Sequence, residues 1–253
     1  MTARWQVILW PLLFGVVVVA LWQLVVVGLQ IRPFVIPSPA AIGTQFGERA
    51  EVILLASLGT ARNALVGLVA GTVLGTAWAV IAAGWRPMDE ASAPIVTALS
   101  VIPIVALAPV FYAMFGANAE TGRQMIAAIA VFTPVYVNVL RGLRQVRPLH
   151  RDLMRAYAAS RAQMTRMVTI PGAVPFFFTG LRIASSLSVI SALVAEYFGG
   201  PVTGLGKAIT SAVSSSDYPL AWAFVVGAIL TGLVFYAATY LLETAVTARR
   251  RAR

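Results

Sequence analysis

The chain contains no cysteine, which excludes a disulfide framework and a thiolate metal site. It contains one histidine, His150, so no pair of imidazoles can share a metal, and its charged surroundings mark it as a solvated loop residue. Charged residues are only 11% of the 253, against roughly 25% in a soluble domain. That is too few to cover a globular surface in water. No G-x-x-x-x-G-K-[ST] run occurs, so nucleotide is not bound through a phosphate loop. A Ser–His or Cys–His nucleophile pair is also excluded, because the lone histidine lies outside every apolar run. No catalytic site, metal or cofactor is expected in this chain, and any energy from ATP must enter through another polypeptide.

What the chain has is apolar residues, 59% of the total, in long runs. A spanning helix needs about 20 of them, because ~30 Å of hydrocarbon is crossed at ~1.5 Å per residue. Six runs qualify, at about 7–29, 64–84, 93–114, 125–140, 174–198 and 220–242, the third broken by Pro103 and Pro109. The pattern predicts an all-α polytopic membrane protein with a single domain over 1–253. The first run is longer than a signal-peptide core and no small-x-small site follows it, so it reads as a retained span. Gly67, Gly71 and Gly75 give the second run a groove that lets another helix approach closely. That groove fits either a moving interface or ordinary packing inside one subunit.

The net charge of +10 would suit nucleic acid, but the basic residues lie between and after the apolar runs. Six spans put both termini on one side. Thirteen arginines fall there: Arg4, Arg86, seven between 141 and 166, and four in the tail from Arg249. Arg32, Arg49, Arg62, Arg123 and Lys207 fall on the other. The positive-inside rule then predicts cytoplasmic termini in a bacterial-type inner membrane, with the bilayer and not nucleic acid as the partner.

Arg182 and Glu196 are the ionisable residues closest to membrane depth. Each costs roughly 2.5–3.5 kcal/mol there unless it faces a partner or a water-filled path. Their spacing of about 21 Å along a helix rules out a direct pair. Either residue can line a translocation path. Alternatively, Arg182 snorkels at the inner end and Glu196 reaches the headgroups. Tyr197 and Phe198 add aromatic rings near the outer end, for stacking on a planar solute or for an interfacial belt.

The segment 141–171 carries seven arginines against one acid, Asp152. The pattern predicts a helix over 152–167 with Asp152 near its start. Leu153, Met154, Tyr157, Ala158, Met164 and Met167 fall largely on one side, and Arg155, Arg161 and Arg166 elsewhere. Outside the membrane such an apolar face needs cover, from the headgroup layer or from a partner's groove.

The stretch from Asp152 to Arg161, followed by Val168-Thr-Ile-Pro171, resembles the cytoplasmic "EAA" signature of binding-protein-dependent ABC importer permeases. Asp152 stands at the glutamate position, Leu153 and Met154 at the alanines, Ala158 at the glycine and Pro171 at the final proline. Ile36-Pro-Ser-Pro39, Ile102-Pro-Ile-Val-Ala-Leu-Ala-Pro109 with Phe115-Gly116, Thr179-Gly-Leu-Arg182 and Val194-Ala-Glu196 resemble signatures of the nitrate/sulfonate/taurine-type branch, in the same order. The resemblance implies a type-1-like fold that forms a pathway from two permease copies. It also implies an ATP-binding cassette subunit that uses ATP and Mg, and an extracytoplasmic solute-binding protein. It places Asp152, Arg155, Tyr157, Ala158, Arg161 and Pro171 in a coupling element at the ATPase. An ion-gradient-driven secondary transporter and a non-transporting membrane scaffold are the competing classes. The expected cargo is an aromatic vitamin precursor or similar small nutrient, with a sulfonate- or nitrate-type anion as the alternative.

Overall fold

The computed structural model describes residues 4–116, 118–199 and 203–251, and every regular element among them is helical. Helix α1 (Arg4–Gly28) is apolar on all sides and leaves most of its large side chains exposed, as a lipid-facing helix does. Its few ties lie near its end. Trp22 meets Trp222 edge-on at 5.6 Å, and Gln23 accepts the Ala40 amide at 3.0 Å. Ser38 caps the next helix, α2 (Pro39–Glu48), by accepting the Ala41 amide at 3.2 Å, with Pro39 in the first turn, where a missing N–H costs nothing.

Helix α3 (Ala50–Gly84) begins well before the expected start at 64. The stretch with Thr60, Arg62 and Asn63 looked extramembrane, yet Thr60 and Asn63 are buried and hydrogen-bonded, so the polar residues do not end the helix. The expected third span is corrected more deeply. It divides into α4 (Arg86–Val101) and α5 (Ile104–Phe115), whose axes differ by 103°. Ile102 is extended (ψ 124°), as a residue preceding proline is, and Pro103 has no N–H with which to continue the ladder.

The bent pair nonetheless runs the length of the following helix, α6 (Thr121–Arg144). Asp89, near the start of α4, pairs with Arg144 at 2.7 Å, while Tyr112, late in α5, lies beside Gly122. Among the described residues, five helices are long and apolar enough to cross a membrane, and there are six if the bent pair is one span.

The charged segment holds two short helices, α7 (Pro148–Ala156) and α8 (Arg161–Met164), and then a π-helical turn (Thr165–Thr169) leading into α9 (Ile170–Tyr197). The single helix expected over 152–167 is therefore corrected to an elbow. The glycine- and serine-rich stretch after α9, read from sequence as a connection, contains α10 (Leu205–Ser214). Leu205 and Ala212 pack there with Ile53, Ala56 and Phe224. The chain closes on α11 (Tyr218–Arg251).

The core is α6 held between α3 and α9. Val131, Val135, Tyr136 and Val139 of α6 meet Leu68 and Ala79 of α3 and Ala184 of α9. The glycine groove of α3 is filled by this chain's own α6, which decides between its two readings in favour of packing inside one subunit. A side chain at Gly71 would overlap the Ala128 carbonyl and sit 2.7 Å from the Val131 Cβ. Such overpacking costs about 1–3 kcal/mol. Gly71→Val is therefore expected to lower the thermal unfolding midpoint of the purified protein. Gly15→Val, on the open side of α1 with nothing within 4 Å, should leave that midpoint unchanged.

Candidate functional site

The basic end of the bundle carries the elbow. Helix α7 has no buried residue, and Leu149, Leu153 and Tyr157 are 74%, 52% and 77% exposed. Spaced at i, i+4 and i+8, they form one apolar stripe that no described residue covers. Asp152 lies in the second turn of α7, not at its start, and makes an exposed pair with Arg155 at 3.4 Å. Such a pair contributes little to stability, so both side chains stay available to a partner.

Helix α7 ends in a tight reversal. The Ala158 amide donates to the Arg155 carbonyl and the Ala159 amide to the Met154 carbonyl, both at 2.9 Å. This is the Schellman pattern, whose turning residue takes a left-handed conformation and is usually glycine. Here it is Ala158, at φ 49°. Ser160 then starts α8 with a reciprocal cap: its hydroxyl accepts the Gln163 amide at 3.2 Å, and its own amide donates to Gln163 Oε1 at 2.7 Å. Arg161 is the first, exposed residue of α8, and Pro171 lies in the first turn of α9. The structure thus gathers Asp152, Arg155, Tyr157, Ala158 and Arg161 on one solvent-facing elbow, with Pro171 at its exit.

The residues expected near membrane depth are kept apart. The Arg182 guanidinium donates to the Glu243 carboxylate of α11 and lies 5.8 Å from the centre of the Tyr240 ring. Glu196 does not turn outward: it is fully buried and accepts hydrogen bonds from the Thr60 hydroxyl at 2.9 Å and the Gly206 amide at 2.8 Å. Tyr197, next to it, is partly exposed.

Several polar residues around Glu196 escaped the sequence reading. Arg123, placed by that reading in a polar loop, lies inside α6 and is 1% exposed. Gln124 donates to Asn63 at 3.1 Å, and the Tyr112 hydroxyl donates to the Ala195 carbonyl at 2.8 Å. The available signal was Thr60 and Asn63, three apart on one helix face within a mostly apolar stretch. Among the described residues, no group of three acidic or histidine side chains converges as a metal site.

A charge-poor bundle of spanning helices that displays an uncovered amphipathic elbow is a polytopic membrane component. Residues 71–252 match the family described as binding-protein-dependent transport system inner membrane component. The chain is 28% identical over 236 residues to the formylaminopyrimidine transport permease protein ThiX of Halalkalibacterium halodurans, covering 92% of each. It is 31% identical over 224 residues to the riboflavin transport system permease protein RibX of Chloroflexus aurantiacus, covering 88% of this chain and 83% of the relative. The putative aliphatic sulfonates transport permease protein SsuC of Bacillus subtilis is 29% identical over 213 residues, with 79% and 73% covered. In fold it is similar to a solved amino acid ABC transporter with histidines, at a TM-score of 0.65 and 16% identity, with 79% of this chain and 96% of that one covered.

The chain belongs to the binding-protein-dependent inner membrane component family. It is a multi-pass permease subunit of an ABC importer, in a family whose members work with an ATPase and a solute-binding protein.

The elbow yields a direct expectation. Alanine in the left-handed region is disfavoured by about 1–2 kcal/mol relative to glycine, and a β-branched residue fares worse. Ala158→Gly should slow hydrogen exchange at the Ala159 amide and at residue 158, whereas Ala158→Val should speed it. Equal exchange in all three proteins would mean that the reversal is not held as described.

Proposed function

We propose that two copies of this permease form the translocation pathway, and that the elbow over 148–171 docks in a cleft of the ATP-binding subunit on the cytoplasmic side. The observation that carries this reading is the apolar stripe of Leu149, Leu153 and Tyr157, exposed on a helix that buries none of its own residues. An amphipathic helix offered this way suits a protein groove, and Arg155 and Arg161 beside it suit a partner carrying acidic groups at the rim. The basic end of the bundle is then the cytoplasmic end, with both termini there, as the positive-inside bias requires. An extracytoplasmic binding protein delivers solute to the opposite end.

The cargo proposed is a small planar organic nutrient of the vitamin-precursor kind. The relatives named for formylaminopyrimidine and riboflavin transport span more of this chain than the sulfonate relative does. Arg182, part-buried in α9, is paired with the chain's own Glu243, and Arg123 is fully buried in α6, which leaves neither open to an anion and favours an uncharged solute. Tyr197 is the ring best placed to meet such a solute. Arg182 and Glu196 are committed to partners in the chain and are not assigned to it.

The test is reconstitution with the ATPase and the binding protein in liposomes. Uptake should require ATP, and a pyrimidine or flavin should compete where an alkylsulfonate does not. Uptake sustained by a proton gradient without the ATPase would overturn the import reading. Reversing both charges, Arg155→Glu with Arg161→Glu, should cut uptake by about tenfold or more while ATP hydrolysis continues. Undiminished uptake in that protein would remove the coupling role from the elbow.

A further inference from the structure

Glu196 lies where α3, α6, α9 and α10 converge, and neither coupling nor solute recognition uses it. Its Oε2 atom takes donors from two elements, the Thr60 hydroxyl of α3 and the Gly206 amide of α10. Thr60 also accepts the Leu205 amide at 2.9 Å. The first amides of any helix lack partners within it. In α10 two of them are satisfied from α9 and α3, while the N-cap residue itself, Gly204, offers no side chain. A side chain at Gly204 would overlap the Glu196 carboxylate, and one at Gly206 would lie 2.7 Å from the Glu196 Cβ. Helix α10 is therefore seated on this carboxylate from above.

A carboxylate buried this deeply is costly unless hydrogen bonds or an opposite charge compensate it. Arg123 approaches from the α6 side. One turn along α6, Ile126 packs with Ala195 and Tyr112, which brings that face of α6 against the residue preceding Glu196. Arg123 is 1% exposed and Glu196 fully buried. Among the described residues Arg123 Nε and Nη2 and Glu196 Oε1 have no hydrogen-bond partner, so the unpaired atoms of a base and an acid share one polar cluster without a direct ion pair. Around the two charges, Asn63 holds Gln124, the neighbour of Arg123, and Tyr112 holds the Ala195 carbonyl. Polar groups of five helices thus surround one acid and one base.

We propose that Arg123 and Glu196 form a charge-balanced latch whose output is the docked position of α10, with Thr60 as its third member. All three are positioning residues for the end of the bundle opposite the elbow. That this end is the mouth receiving solute rests on the import reading; the latch itself does not.

The absence of native cysteine makes the test clean. Ala212 of α10 is 4% exposed and packs in the cluster with Ile53, Ala56 and Phe224, so Ala212→Cys places a sole thiol under the docked helix. In the purified permease complex in nanodiscs, this thiol should react slowly with a maleimide. Adding Glu196→Gln or Arg123→Gln should speed labelling by about tenfold, because each leaves one buried charge unopposed. Adding both should return labelling towards the parent rate. Thr60→Val, which keeps both charges but removes two hydrogen bonds, should give a smaller rise.

Unchanged labelling in the single variants would overturn the latch. So would a double variant at least as fast as the two singles combined, since additivity means that the residues act independently. Should a single variant fail to accumulate in the membrane, recovery of the double variant to the parental amount supports the pairing, and lack of recovery refutes it. Labelling needs neither transport nor ATP hydrolysis, so its failure leaves the import reading standing.

Discussion

A hydrocarbon solvent offers no hydrogen bonds, so every polar group taken into it must be satisfied within the protein. The architecture of this permease follows from that constraint. Through its middle the bundle relies on close approach: Gly67, Gly71 and Gly75 of α3 lie against α6 at Ala127, Val131 and Val135, with Leu68 and Tyr136 beside them, and backbone contact holds the pair. Towards the end opposite the elbow it gathers hydroxyl, amide and backbone groups from several helices around Glu196, while Glu196 Oε1 and two Arg123 nitrogens have no hydrogen-bond partner among the described residues. Nearer the basic end a second acid and base, Arg182 and Glu243, tie α9 to α11.

The two ends of the molecule accordingly differ in character. The basic end is open. Its elbow buries nothing and is kept in shape by local bonds alone, the reversal at Ala158 and the reciprocal cap of Ser160 and Gln163. A surface that must accept a partner gains from being defined in shape yet uncovered. The opposite end is closed over by α2 and α10, which pack on α3 and α11. Between them α6 provides continuity, with Arg144 tied to Asp89 at one end and Gln124 bonded to Asn63 at the other.

Much of this was legible in the residues. Length and hydropathy pointed to the spanning helices, and the charged segment that the motifs mark, degenerate at Leu153, Met154 and Ala158, holds the elbow where a single helix was expected. The left-handed turn at Ala158 shows why the alanine is tolerated: the Schellman bonds hold a conformation that costs alanine only about 1–2 kcal/mol. What sequence could not supply was pairing across the bundle. Arg123 looked like a loop residue because the groups it is buried among come from distant parts of the chain, and α10 looked like a connection because its serines hide an apolar side formed by Leu205 and Ala212. The bend at Pro103 was visible as a break, but its angle depends on what α4 and α5 pack against.

One further property follows from the length of α3. At 35 uninterrupted residues it is about 52 Å long, well beyond the ~30 Å of hydrocarbon, and it reaches from the α10 seat to the turn that leads into Asp89. Such a rod is a lever. A tilt of about 10° about its midpoint would carry each tip through roughly 4–5 Å, in opposite directions, without any change within the helix. The stiffness of a single element therefore sets a mechanical gearing between the two faces of the membrane.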